Sequence, residues 1–160
     1  LLKKICKEIK FFKMKNTIKG RRKTRELVVQ FLFQTDFNPE PIEQASLDFW
    51  SDKKISNKEK KFADKLIEGV LDKKKELDNL LSEHAKNWDS DRLGSVDRTV
   101  MRIAVFEMLY CDEVPSVVAI NEAVHFAKDL SSLQSGRFVN GVLDSVGKKL
   151  NNLKKNQKSS

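Results

Sequence analysis

Between residues 97 and 110 the apolar positions of this chain are not confined to one stripe. Wound at 3.6 residues per turn, Val100, Met101, Ile103, Ala104, Val105, Phe106, Met108 and Leu109 cover most of a helix's circumference. Arg98 and Arg102 form one polar stripe, and Glu107 stands alone on the far side. No Gly or Pro interrupts the pattern after Gly94. Ser95 is placed to cap the start, and Asp97 puts a negative charge in the first turn. A helix that is apolar on nearly all sides needs neighbours on nearly all sides. The pattern therefore predicts the central post of an all-helical domain, with most of its residues pure core.

The helical period recurs on both sides of this stretch. Leu27, Val28, Phe31 and Leu32 form one face of a helix that starts near Arg21, and Arg22, Glu26, Val29 and Phe33 lie along a different stripe. Asn38-Pro39-Glu40-Pro41 ends it. Ile42, Ala45 and Phe49 predict a short helix to about Trp50, followed by a polar connection to Asn57. A long helix is expected from Lys58 to about His84, buried along Ala63, Leu66, Val70, Leu77, Leu80 and Leu81, with Lys73-Lys74-Lys75 crossing solvent. Residues 87–94 read as an irregular link. Pro115 suits the first turn of a further helix with Val117, Ile120, Val124 and Ala127 inward. Ser131 or Ser132 caps the last helix, in which Phe138, Val139, Val142, Leu143 and Val146 face the core. From Gly147 the Lys/Asn-rich end reads as a frayed tail. There is no alternating β pattern and no internal repeat, so the fold class is all-α, a compact bundle of about six to seven helices.

Composition alters this picture through charge. The net charge of +8 is unevenly placed: residues 1–25 hold eleven Lys or Arg against the single acid Glu8, and residues 147–160 hold five Lys and no acid. The intervening chain is net acidic, with fifteen basic and twenty-two acidic residues. An acidic body with two basic ends suggests a polyanion bound near the termini. Residues 1–13 space Leu1, Leu2, Ile5, Ile9 and Phe12 near helical period among lysines, and Met14-Lys15-Asn16 resembles a natural start. We divide the chain into an extraneous or disordered basic extension over 1–18, a helical domain over 19–147 and a basic flexible tail over 148–160. Cys6 and Cys111 are too few for a disulfide framework and, with His84 and His125, make no metal-ligand spacing. No apolar run approaches membrane-spanning length. Reduced thiols fit a cytoplasmic protein.

Catalytic patterns are missing from the sequence. There is no Walker loop, no dinucleotide fingerprint and no nucleophile elbow. Each histidine lacks an obvious acid or nucleophile partner. The chemistry that the residues do suggest is recognition of RNA. Lys19, Arg21, Arg22, Lys23 and Arg25 lie at or before a helix N-terminus, where phosphate meets side-chain cations and free backbone N–H groups. Phe33, at the edge of that face, could stack on an unpaired base, or could be buried against a neighbouring helix.

Several strings resemble one family. They are Gly20-Arg21-Arg22-Lys23-Thr24-Arg25-Glu26-Leu27 through Phe33, Asp97-Arg98 through Met108-Leu109, Val114-Pro115, Ala119-Ile120-Asn121-Glu122-Ala123-Val124, and Arg137-Phe138-Val139-Asn140-Gly141-Val142-Leu143-Asp144. In this order and spacing they are similar to the NusB family of bacterial transcription antitermination factors, over roughly residues 19–146. The resemblance implies two packed helical subdomains, binding of boxA RNA in ribosomal RNA transcripts, a heterodimer with the ribosomal protein NusE, and service to the RNA polymerase antitermination complex. It implies no catalytic activity and no cofactor. By the family pattern Arg137 joins the RNA contacts as the opposite lip of a groove, and Asp89, Asp91 and Asp97 lie near the NusE contact. Asn121, Asn140 and Gly141 have a second reading, as amides tying helices together and a glycine permitting close helix approach. The turn Ser131-Ser132-Leu133-Gln134-Ser135-Gly136 departs from the acidic or polar turn common in the family. Other classes stay open: a protein–protein module, a homodimer, or a fragment of a ribosomal RNA cytosine methyltransferase carrying such a domain.

Overall fold

The computed structural model describes residues 20–38, 40–86 and 93–158. Residues 1–18, read above as an extension, lie outside the described residues. Among the described residues there are seven helices and no strand. The chain divides into two compact units, with the boundary after Lys65.

The first unit holds α1 (Arg21–Thr35), α2 (Ile42–Trp50) and the first residues of α3 (Asn57–Asp72). Both apolar stripes of α1 are buried: Leu27, Val28, Phe31 and Leu32 on one, Val29 and Phe33 on the other. The helices α1 and α2 meet through Phe31 and Phe49, edge to face at 5.3 Å between ring centroids. Ser56 and Glu59 form a capping box at the start of α3: the Glu59 N–H donates to Ser56 Oγ at 3.3 Å, and the Ser56 hydroxyl donates to the Glu59 carboxylate.

The second unit holds the end of α3, α4 (Lys74–Ser82), α5 (Ser95–Tyr110), α6 (Ser116–Leu130) and α7 (Leu133–Lys158). Every residue of α5 from Val96 to Met108 except Arg98 is buried. The helix packs against α4, α6 and α7, as a post should. Phe106 reaches the backbone of α3 at Gly69, where a Cβ would stand 2.0–2.8 Å from the ring atoms. Glycine is required there because the ring occupies the space of a side chain. Arg102 lies buried on α5 and makes a two-pronged bond to Asp78 of α4, at 2.7 and 3.0 Å.

Four local expectations change. Ser95 is the first helical residue, and the N-cap is Gly94, with no side-chain capping bond. The expected helix 58–84 is two helices that meet at Lys73. Its N–H still bonds Gly69 and its carbonyl still accepts from Leu77, so the winding departs at one residue, within the lysine run. Val117 is 62% exposed, because α6 buries the stripe of Ala119, Ala123, Phe126 and Ala127 instead. The last helix does not stop at Gly147. It continues to Lys158, because Gly147 packs beside Ile120, Leu150 is half-buried on the inward side, and Lys149 pairs with Glu83 of the α4 end. Its start follows expectation, with Ser132 Oγ accepting from the Ser135 N–H at 3.0 Å.

Candidate nucleic-acid interface

The start of α1 is built by α3. Gly20 caps α1 with φ +83°, a left-handed conformation that suits glycine. Its N–H donates to the Glu59 carboxylate at 2.8 Å. The Ser56 hydroxyl and this N–H together hold the Glu59 carboxyl below its ordinary range. Thr24 closes the turn with its hydroxyl on the Gly20 carbonyl at 3.1 Å. The guanidinium of Arg21 stacks 3.9 Å from the centroid of the Phe62 ring, and that of Arg25 lies 5.3 Å from the same ring. One aromatic side chain of α3 thus orients two arginines of α1.

The predicted basic residues therefore divide. Arg21 and Arg22 are exposed, and Lys23 is half-buried with an ion pair to Glu26 at 3.2 Å. Arg25 is 4% exposed, which corrects its placement on the open basic face. Its position one turn after Arg21 carries it inward with the apolar side of α1. Phe33 is 3% exposed, so its ring is not open to a base. It packs against Phe37 at 5.0 Å, and Phe37 is half-exposed at the other end of α1, about 24 Å along the helix from Arg21. Lys19 lies outside the described residues. Sequence reasoning missed Phe62 and Glu59. The Ser-x-x-Glu pattern of the capping box was a readable signal for Glu59, whereas nothing in the sequence tied Phe62 to two arginines some forty residues away.

In the second unit Arg137 is exposed in the first turns of α7. Asp97 is 5% exposed, which corrects its reading as a surface charge for a partner. Burial raises its carboxyl above the ordinary aspartate range, against a smaller lowering by a bond from Ser135. Its Oδ1 has no hydrogen-bond partner among the described residues. Asp89 and Asp91 lie outside the described residues. Asn121 and Asn140 are exposed, Asn140 donating to Asp144 at 3.1 Å, and a Cβ at Gly141 would meet open space. None of the three is thus the helix tie or close approach that was the alternative reading. Among the described residues no group of His, Cys, Asp and Glu is arranged to hold a metal ion, and no helix is long and apolar enough to cross a membrane.

This is the class of all-helical protein that presents an arginine-bearing helix start to solvent. The model of the NusB family matches residues 22–148, and the chain belongs to that family. It is 44% identical over 136 residues to the transcription antitermination protein NusB of Desulfosudis oleivorans, covering 82% of this chain and 87% of that one. It is 39% identical to the NusB of Methylacidiphilum infernorum, over 79% of this chain and 90% of the relative. Among solved structures, T. maritima NusB matches with a TM-score of 0.75 and 35% identity, over 82% of this chain and 93% of that one. A crystal structure of the antitermination factors NusB and NusE in complex with double-stranded RNA matches with a TM-score of 0.72 and 25% identity, over 81% and 96%.

Proposed function

We propose that this chain acts in transcription antitermination by binding boxA RNA of ribosomal RNA transcripts together with NusE, in the cytoplasm and without catalysing a reaction. The observation that carries the reading is the helix start of α1, where Arg21 and Arg22 stand exposed on a turn held by Glu59 and Phe62. Guanidinium groups at a helix N-terminus suit phosphate, since side-chain charge and the helix dipole have the same sign there. Arg137, exposed in the first turns of α7, is a candidate phosphate contact of its own. The related NusB crystallised with NusE and RNA supports both partners. Acidic residues 89 and 91, in the link before α5, remain the candidates for the basic NusE surface.

The test is fluorescence anisotropy with labelled boxA RNA, with and without NusE. Replacing Arg21 and Arg22 by Ala is expected to weaken binding to all sequences and to lower the slope of log K against log salt by about 0.7 per lost phosphate contact. Undiminished affinity in a variant with native helical content and intact NusE binding would remove this segment from the RNA site.

A further inference from the structure

The other end of α1, with α2, forms a surface apart from Arg21 and Arg22. From Glu26 to Asp52 the chain holds six acidic residues and no Lys or Arg. Three large apolar side chains in the same span face solvent: Phe37 is 49% exposed, Ile42 37% and Leu47 68%. Beside them a cavity of about 270 Å³ opens between α1 and α2. The buried rings of Phe31 and Phe49 line it, and Gln34, Asn38, Glu40 and Asp48 add polar groups. Gln44 Nε2 donates to Asp48 Oδ1 at 3.0 Å and orients that carboxylate.

We propose that this face docks a basic, partly apolar segment of a partner protein, one of whose arginine or lysine side chains enters the α1–α2 cavity. A long cationic side chain suits the cavity in both of its parts. Its aliphatic stem can lie along the cavity wall while the charged head meets Asp48 and Glu40; the Phe49 ring itself is already covered by Lys53 Nζ, 4.0 Å from its centroid. Apolar residues on the same segment would cover Leu47 and Phe37, whose exposure is otherwise uncompensated. The sign of the charge selects the partner class: this face repels nucleic-acid phosphates and steers a cationic polypeptide toward itself. The surface is separate from Arg21 and Arg22, so this inference stands or falls independently of the RNA reading.

The test uses the full chain and a synthetic amphipathic helical peptide of arginine, leucine and alanine, with a counterpart carrying glutamate in place of arginine. The arginine peptide should bind in a salt-dependent way, with amide shift changes centred on the end of α1 and on α2. The double variant Glu40→Lys, Asp48→Lys should weaken binding about tenfold or more and flatten its salt dependence. Leu47→Ser should weaken it about fivefold with the salt dependence kept. BoxA affinity should not fall in either variant. Equal binding of the two peptides, or full binding by the double variant, overturns the proposal. So does self-association of the wild type that Leu47→Ser abolishes, which would assign the face to a second copy. Peptide binding about tenfold tighter after removal of residues 1–18 would likewise assign it to the chain's own basic segment.

Discussion

Arg25 of α1 and Arg102 of α5 are both nearly closed off from solvent, yet they carry charge into the protein by different routes. Arg102 meets the carboxylate of Asp78 with two parallel bonds, while Arg25 shares the face of Phe62 with Arg21. The ion pair fixes a direction and stabilises one packing of α5 on α4. The ring of Phe62 sets a plane that two guanidinium groups share. The difference shows that a buried arginine in this fold is read by its partner and not by its neighbours in sequence. Arg22 and Arg98, about one turn earlier on the same helices, are more exposed.

The sharpest way to break the comparison is to remove the packing that makes α5 the more enclosed helix. Phe106→Ala should cost about 3–5 kcal/mol in chemical denaturation, because the ring fills the space over Gly69. A midpoint that hardly moves would make α5 no more enclosed than α1. Next, Asp78→Ala leaves Arg102 without its two-pronged partner. We expect a loss of about 1.5–3 kcal/mol, below the cost for a fully dry pair because Asp78 is 27% exposed. Arg25→Lys should cost less, about 1 kcal/mol, since it keeps the charge and much of the stem and loses the planar stacking on Phe62. Equal losses at the two sites would erase the distinction between them.

The smallest effect concerns Asp97 and is read by pH. Its folded pKa is raised by burial, so the folded state holds the proton more tightly than the unfolded state. Stability is then fullest at low pH and falls as pH rises from the ordinary aspartate value through the raised one, after which it is level. Asp97→Asn lacks this loss. Its melting temperature relative to wild type should rise across that window and stay constant above it. A difference that is flat with pH would show that the carboxyl pays no desolvation penalty.

The helices were legible wherever burial follows the 3.6-residue period. The apolar circumference of 97–110 announced α5, and the paired stripes of 27–33 announced α1. Legibility failed where one residue type serves two environments. For Arg25 the pattern groups it with exposed neighbours, because charge predicts exposure more strongly than helical position does, and an aromatic ring from a distant segment reverses that. Phe37 occupies the exposed edge that the pattern offers to Phe33, and a shift of four residues is beyond what pattern alone resolves. Asp97 carries the appearance of a helix-capping surface acid, and its burial depends on how α7 begins beside it.

Glu59 has a consequence for the order of folding. One carboxylate serves two helix starts, closing the box of α3 and accepting the Gly20 N–H across thirty-nine residues of chain. The first bond is local and can form as α3 nucleates, whereas the second must wait for a loop of that length to close. The first turn of α1 is therefore a late-forming and early-opening latch. Amide exchange should be faster at Gly20 and Arg21 than in the middle of α1, with φ-values near zero at the same place. The exposed Arg21 and Arg22 sit on that latch, so where they stand depends on the contact between α1 and α3 as well as on the winding of α1.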